Sequence, residues 1–126
     1  MLDSLGMKDG YWIEKTKDFK VEVYYKKNKK NGIEKIYYRN GVLMAFLNYQ
    51  DGKLIETGFF FNEEGRLDFT VKYIEEIKRN KNILIKGYYT IYNKKGKIKR
   101  RGLGLSSTGD EYEMEEIGNW EKFDDK

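Results

Sequence analysis

The chain is expected to be all-β: a single antiparallel meander of hairpin repeats forming a twisted, curled sheet. Three observations lead to this. Turn signals recur at short intervals, at Asn31-Gly32, Asn40-Gly41, Asp51-Gly52, Glu64-Gly65, Lys95-Gly96 and Thr108-Gly109. Between them, apolar and polar residues alternate with a period of two, as a half-buried strand requires. Aromatic residues make up 16% of the 126 positions, and Tyr, Phe, Val and Ile suit a pleated surface.

Nine strands are expected in order. The first covers residues 10–15. In the second, 19–27, Phe19, Val21, Val23 and Tyr25 share one face, against Lys20, Glu22 and Tyr24 on the other. The third and fourth, 33–39 and 42–50, flank Asn40-Gly41, and Asp51-Gly52 leads into the fifth, 53–61. Both dipeptides tolerate the positive φ angles of two-residue hairpin turns. The sixth, 66–77, sets Leu67, Phe69, Val71 and Tyr73 against Asp68, Thr70 and Lys72. Val71 to Arg79 also fits a helical spacing. The alternation before it and the missing N-cap favour a strand that frays by Lys78. Segments 83–93, 97–105 and 111–122 complete the series. Connections this short join antiparallel neighbours, since parallel strands need long crossovers. One domain spans residues 1–126, with an acidic C-terminal segment at 110–126.

Composition removes most catalytic chemistry. The chain has no Cys, His or Pro. Disulfides, thiolate nucleophiles, imidazole bases and His/Cys metal sites are therefore excluded. The segment Met1 to Met7 lacks the basic and apolar stretches of a signal peptide, and the longest apolar run, Val42 to Leu47, is too short to span a membrane. A cytoplasmic protein is expected. Charge is segregated. Residues 1–109 hold 23 basic and 13 acidic side chains, net +10, and residues 110–126 hold 2 and 8, net −6, which gives the overall +4. Opposed blocks of this kind attract each other, steer a partner or simply keep a protein soluble.

A unit recurs along the chain. Gly87-Tyr88-Tyr89-Thr90-Ile91-Tyr92 runs on to Gly96, and Gly118-Asn119-Trp120-Glu121-Lys122-Phe123 repeats its opening. Gly10-Tyr11-Trp12 carries the first half, and Gly32 to Gly41 the second, through Tyr37, Tyr38 and Asn40. Single hairpins cannot bury an apolar face, so such repeats stack into one sheet. A glycine lets a neighbouring ring lie over its strand. The pattern resembles the variant MORN repeat of YwqK-like antitoxins, roughly Gly-x-Trp-x-x-Tyr-Tyr-x-Asn-Gly, over about residues 8–123. Glu34 stands where that repeat has an aromatic, the 58–65 unit is two residues short, and 66–86 has no clear unit. The resemblance implies an elongated sheet used for binding, with no catalytic residues, and a pairing with toxins as antitoxin or immunity protein.

No motif for chemistry survives inspection. Gly102-Leu103-Gly104-Leu105 lacks the third glycine and the βαβ setting of a dinucleotide fingerprint. Gly96-Lys97 is followed by Ile98, not by the Ser or Thr of a phosphate loop. Glu111, Glu113, Glu115 and Glu116 match no calcium loop. No enzyme activity, metal or cofactor is expected. Lys26, Lys27, Lys29 and Lys30 form one basic cluster, and Lys94, Lys95, Lys97, Lys99, Arg100 and Arg101 a denser one, each beside tyrosines. Basic side chains and rings together suit single-stranded nucleic acid, and Lys-rich turns also guard sheet edges. The favoured expectation is a non-catalytic module that binds another protein, a toxin or nuclease, as antitoxin, immunity protein or phage-borne inhibitor of an RNA-guided nuclease. Its candidate contacts are Tyr88, Tyr89, Tyr92, Lys97, Lys99, Arg100 and Arg101, with Glu113, Glu115 and Glu116 as a nucleic-acid mimic. Single-stranded nucleic acid is the alternative partner. A membrane surface is not favoured, and an exposed edge strand allows a homodimer.

Overall fold

The computed structural model describes residues 6–107 and 110–123, with the backbone alone at 110–112. Nine strands follow the chain: β1 (Gly10–Lys15), β2 (Phe19–Lys26), β3 (Lys29–Tyr38), β4 (Leu43–Gln50), β5 (Lys53–Phe61), β6 (Leu67–Arg79), β7 (Asn82–Tyr92), β8 (Ile98–Ser107) and β9 (Asp110–Lys122). They form one twisted antiparallel sheet in strict chain order, and it does not close into a barrel. Among the described residues no helix is long and apolar enough to cross a membrane. The expected turn at Thr108-Gly109 and the reading of residues 1–5 fall outside the described residues.

Three details of the expected strands are corrected. Asn31-Gly32 is not a turn. The β2–β3 turn lies earlier, at Lys27 and Asn28 (φ 51° and 66°), and Gly32 (φ 102°) sits inside β3. The stretch Val71 to Arg79 does not fray at Lys78, because Lys78 pairs with Ile83 and Arg79 with Asn82 around Asn80 (φ 57°). Asn40-Gly41 belongs to a wider loop in which only Gly41 has a positive φ. That loop recurs along one rim. The first residue's N–H donates to the fifth residue's carbonyl in Tyr38–Val42, Asn62–Arg66 and Asn93–Lys97, at 2.8, 2.9 and 2.8 Å. In the latter two, the Asn62 and Asn93 side-chain oxygens each accept two further backbone N–H groups of the loop.

A bulge also recurs. Three residues of β3 (31–33) stand opposite Tyr24, three of β5 (56–58) opposite Leu47, and three of β9 (118–120) opposite Gly102. Each bulge holds one residue in the left-handed region: Gly32, Glu56 (φ 58°) and Gly118 (φ 66°). Bulges bend the strand that carries them and increase its twist.

The bent face is the core. Ala45, Leu47, Phe60, Phe69, Val71 and Tyr89 form its buried cluster. A ladder of rings crosses it. Phe60 and Phe69 stack at 4.6 Å, Tyr89 follows at 6.0 Å from Phe69, and Trp120 at 6.4 Å from Tyr89. Among the described residues, backbone pairing joins sequence neighbours in one layer, and rings lying along the sheet cover this face. Trp120 lies over Gly102, where an added Cβ would meet the indole at 2.5 Å, and its Nε1–H donates to the Leu103 carbonyl at 2.9 Å. That is the close approach for which the strand glycines were expected.

Candidate functional site

Cross-strand partners share a face, so the register sorts every side chain. Opposite the core face runs an outer face that, among the described residues, no second layer covers. Its β1–β3 end presents Tyr11, Ile13 and Tyr24, exposed by 39%, 51% and 48%, with Tyr11 and Tyr24 in ring contact at 5.1 Å. Next to them Lys20 pairs with Glu22 at 3.2 Å and lies over the Tyr37 ring at 5.6 Å. The hydrogen bond from Lys20 holds the Glu22 carboxyl below its ordinary pKa. Across the middle, Phe46 and Phe59 meet edge to face at 6.3 Å. Rings with partly desolvated charges among them make the kind of surface that anchors a protein partner.

The sequence-predicted contacts scatter. Tyr88 and Arg101 lie on the outer face, Tyr88 opposite Lys72 and Leu103, and Arg101 opposite Thr90. Tyr89 is not a surface anchor: it is 1% exposed and part of the ring ladder. Strand alternation forces this, since consecutive residues point to opposite faces. The repeat itself carried the signal, because Trp12, Phe60, Tyr89 and Trp120 all stand two places after a glycine and all face inward. Tyr92 is half-buried, and Lys97 and Lys99 are exposed near the β7–β8 loop.

Arg100 and Arg101 are fastened down. Arg100 pairs with Glu116 and covers the Trp120 ring at 5.2 Å. Arg101 grips both oxygens of Glu121, at 3.3 and 3.2 Å, and covers Phe123 at 5.3 Å. The Glu121 hydrogen bond raises the Arg101 pKa further. Arg79 reaches Glu115 at 3.5 Å. The acidic strand thus turns much of its charge toward the basic body, and Glu113 stands exposed beside it. The side chain of Glu111 lies outside the described residues. Among the described residues no group of three or more acidic side chains is placed to hold a metal ion.

A basic hollow of about 510 Å³ opens beside the β7–β8 loop, lined by Arg66, Asp68, Tyr92, Lys94, Lys95 and Lys99 among others. Burial raises the Asp68 pKa, against the pull of Arg66. A raised carboxyl favours the neutral form in the folded chain. Its stabilising contribution is present below the unfolded value, about 3.9, and is lost as pH rises through the folded value. Asp68→Asn is therefore expected to raise Tm at pH 7 and to leave it unchanged near pH ~3. Thermal melts of both proteins at the two pH values check this.

Comparison of the chain with protein-family models and with curated proteins found no match. The outer face was only half legible. Lys20, Glu22 and Tyr24 were placed together from alternation, whereas Tyr11, Ile13, Phe46 and Phe59 join them only through the strand register.

Proposed function

We propose that the protein is a non-catalytic binding module of the cytoplasm, an antitoxin, immunity or inhibitor protein that covers a partner toxin or nuclease with the outer face of its sheet. The observation that carries this reading is the exposed cluster of Tyr11, Ile13 and Tyr24 on a face that has no second layer among the described residues. Exposed apolar patches rimmed by charge mark interaction sites. The resemblance of the repeat to the variant MORN units of YwqK-like antitoxins points the same way, and an inhibitor of an RNA-guided nuclease fits the same surface. The ion pairs of Glu115, Glu116 and Glu121 weaken the idea that the acidic strand mimics nucleic acid.

The test is a tagged pull-down from the native host, with and without nuclease treatment. One near-stoichiometric protein that survives nuclease and is lost from a Tyr24→Lys variant is the expected result. A second reading, single-stranded nucleic-acid binding, is favoured by the basic hollow with Tyr92 at its wall. Recovery of nucleic acid alone, released by nuclease or by added salt, would replace the first reading with this one.

A further inference from the structure

The repeat places a large ring two residues after its glycine on β1, β5, β7 and β9: Trp12, Phe60, Tyr89 and Trp120. On β3 that place is held by Glu34. The residue is 3% exposed, paired across the sheet with Val23 and Leu47, themselves exposed by only 1% and 4%. A carboxylate thus stands in a slot built for a ring. Local rules fail most often where a site is built, and a buried ion pair is a poor stabiliser compared with well-packed apolar groups.

The smaller side chain leaves space. A hollow of about 290 Å³ opens here, walled by Tyr25, Tyr49, Phe60, Ile36 and Leu47 around Glu34. Lys30 donates to Glu34 Oε2 at 2.7 Å, and its ammonium stands 5.0 Å from the centre of the Tyr49 ring. Lys30 and Glu34 are four apart on one strand and meet only because the bulge at Gly32 folds β3 back between them. The second carboxylate at the wall, Glu14, is occupied by Lys8 at 3.6 Å. Lys30 itself is 35% exposed, so its head reaches the hollow from the solvent side.

We propose that this hollow binds a protonated amine or guanidinium carried on an apolar stem. The Glu34 carboxylate receives the cation's N–H, the Tyr25 and Tyr49 rings face the charge, and Phe60, Ile36 and Leu47 take the stem. Lys30 shows how a cation sits there and competes for the same carboxylate. A free small amine and a Lys or Arg side chain of a partner protein share this chemistry. The proposal stands whether or not the outer face binds a protein.

The probes are n-butylamine and N-acetyl-lysine methylamide, titrated into the full chain while the Val23, Ile36 and Leu47 amides are followed by NMR. Saturable shifts are expected, with n-butanol giving none and Glu34→Gln weakening the amine by at least about tenfold. Tighter binding of the lysine derivative assigns the site to a partner's side chain, and tighter binding of the alkylamine to a free small molecule. A second measurement uses Lys30→Met, which strands the buried carboxylate and lowers Tm. Added n-butylamine is expected to restore that loss, and to restore nothing in the Lys30→Met/Glu34→Gln double variant. No saturable shift in the wild-type protein, equal affinity in Glu34→Gln, or equal rescue of the double variant would each overturn the proposal.

Discussion

Tyr89→Ala is expected to cost about 3–5 kcal/mol of folding stability, as truncating a buried aromatic does. Tyr88→Ala, one residue away, is expected to cost about 1 kcal/mol or less. The two rings differ only in the face they take. Tyr89 lies between Phe69 and Trp120 and is 1% exposed, so its removal opens a gap in the middle of the ladder. Tyr88 stands among Lys72 and Leu103 on the outer face. Urea unfolding of both variants measures the contrast, and for Tyr89→Ala the fall in Tm should be on the order of 10–20 °C. Tyr88→Ala should keep its fold and lose partner in the pull-down. Equal losses of stability would show that the faces of β7 had been assigned wrongly.

Gly102→Ala is the second large effect, expected at about 1–3 kcal/mol from overpacking alone. The new methyl meets the Trp120 indole at 2.5 Å. The ring must then swing off the strand, away from the Leu103 carbonyl at 2.9 Å and from Tyr89 and Arg100 on either side. The lost hydrogen bond adds about 1 kcal/mol. A double-mutant cycle separates this cause from backbone effects. In a Trp120→Ala background the methyl's three nearest contacts, all indole atoms, are gone, so Gly102→Ala should cost less than about 0.5 kcal/mol there, and the two changes should be strongly non-additive. Additive costs would mean that the glycine serves the backbone and not the ring.

Much of this architecture was legible because local rules agreed. The alternation from Phe19 to Tyr25 and from Leu67 to Tyr73 placed β2 and β6, and Asp51-Gly52 placed its turn with both φ angles positive, 50° and 83°. The errors came where a local signal served another purpose. Gly32 advertises a turn and makes a bulge. Lys27, at the real turn, advertises nothing, since lysine carries no preference for a positive φ. The strand looked frayed by Lys78 because the support of its end is the long hairpin with β7, which only the register reveals. The site was less legible than the fold. Glu34 was visible as a departure from the repeat, but its burial depends on Val23 and Leu47 arriving from two other strands. The Arg100 and Arg101 cluster looked free in sequence because its counter-charges, Glu116 and Glu121, lie a whole strand away.

That each strand is hydrogen-bonded along its backbone to its neighbours in the chain, in strict order, has a consequence for how the molecule forms. No distant segments need to find one another, so contact order is low for an all-β protein, and folding should be fast for its class. Any hairpin can start the process and its neighbours can zip on from either side, as in a linear array governed by adjacent couplings. Opening follows the same line in reverse. Amide exchange should be quickest at β1 and β9, which have one neighbour each, and slowest over β5 to β7, where the ring ladder ties several strands together. An array of this kind also changes length easily. Adding or removing one strand pair, cut at the recurring loops of a single rim, alters the number of units without altering the rule that joins them.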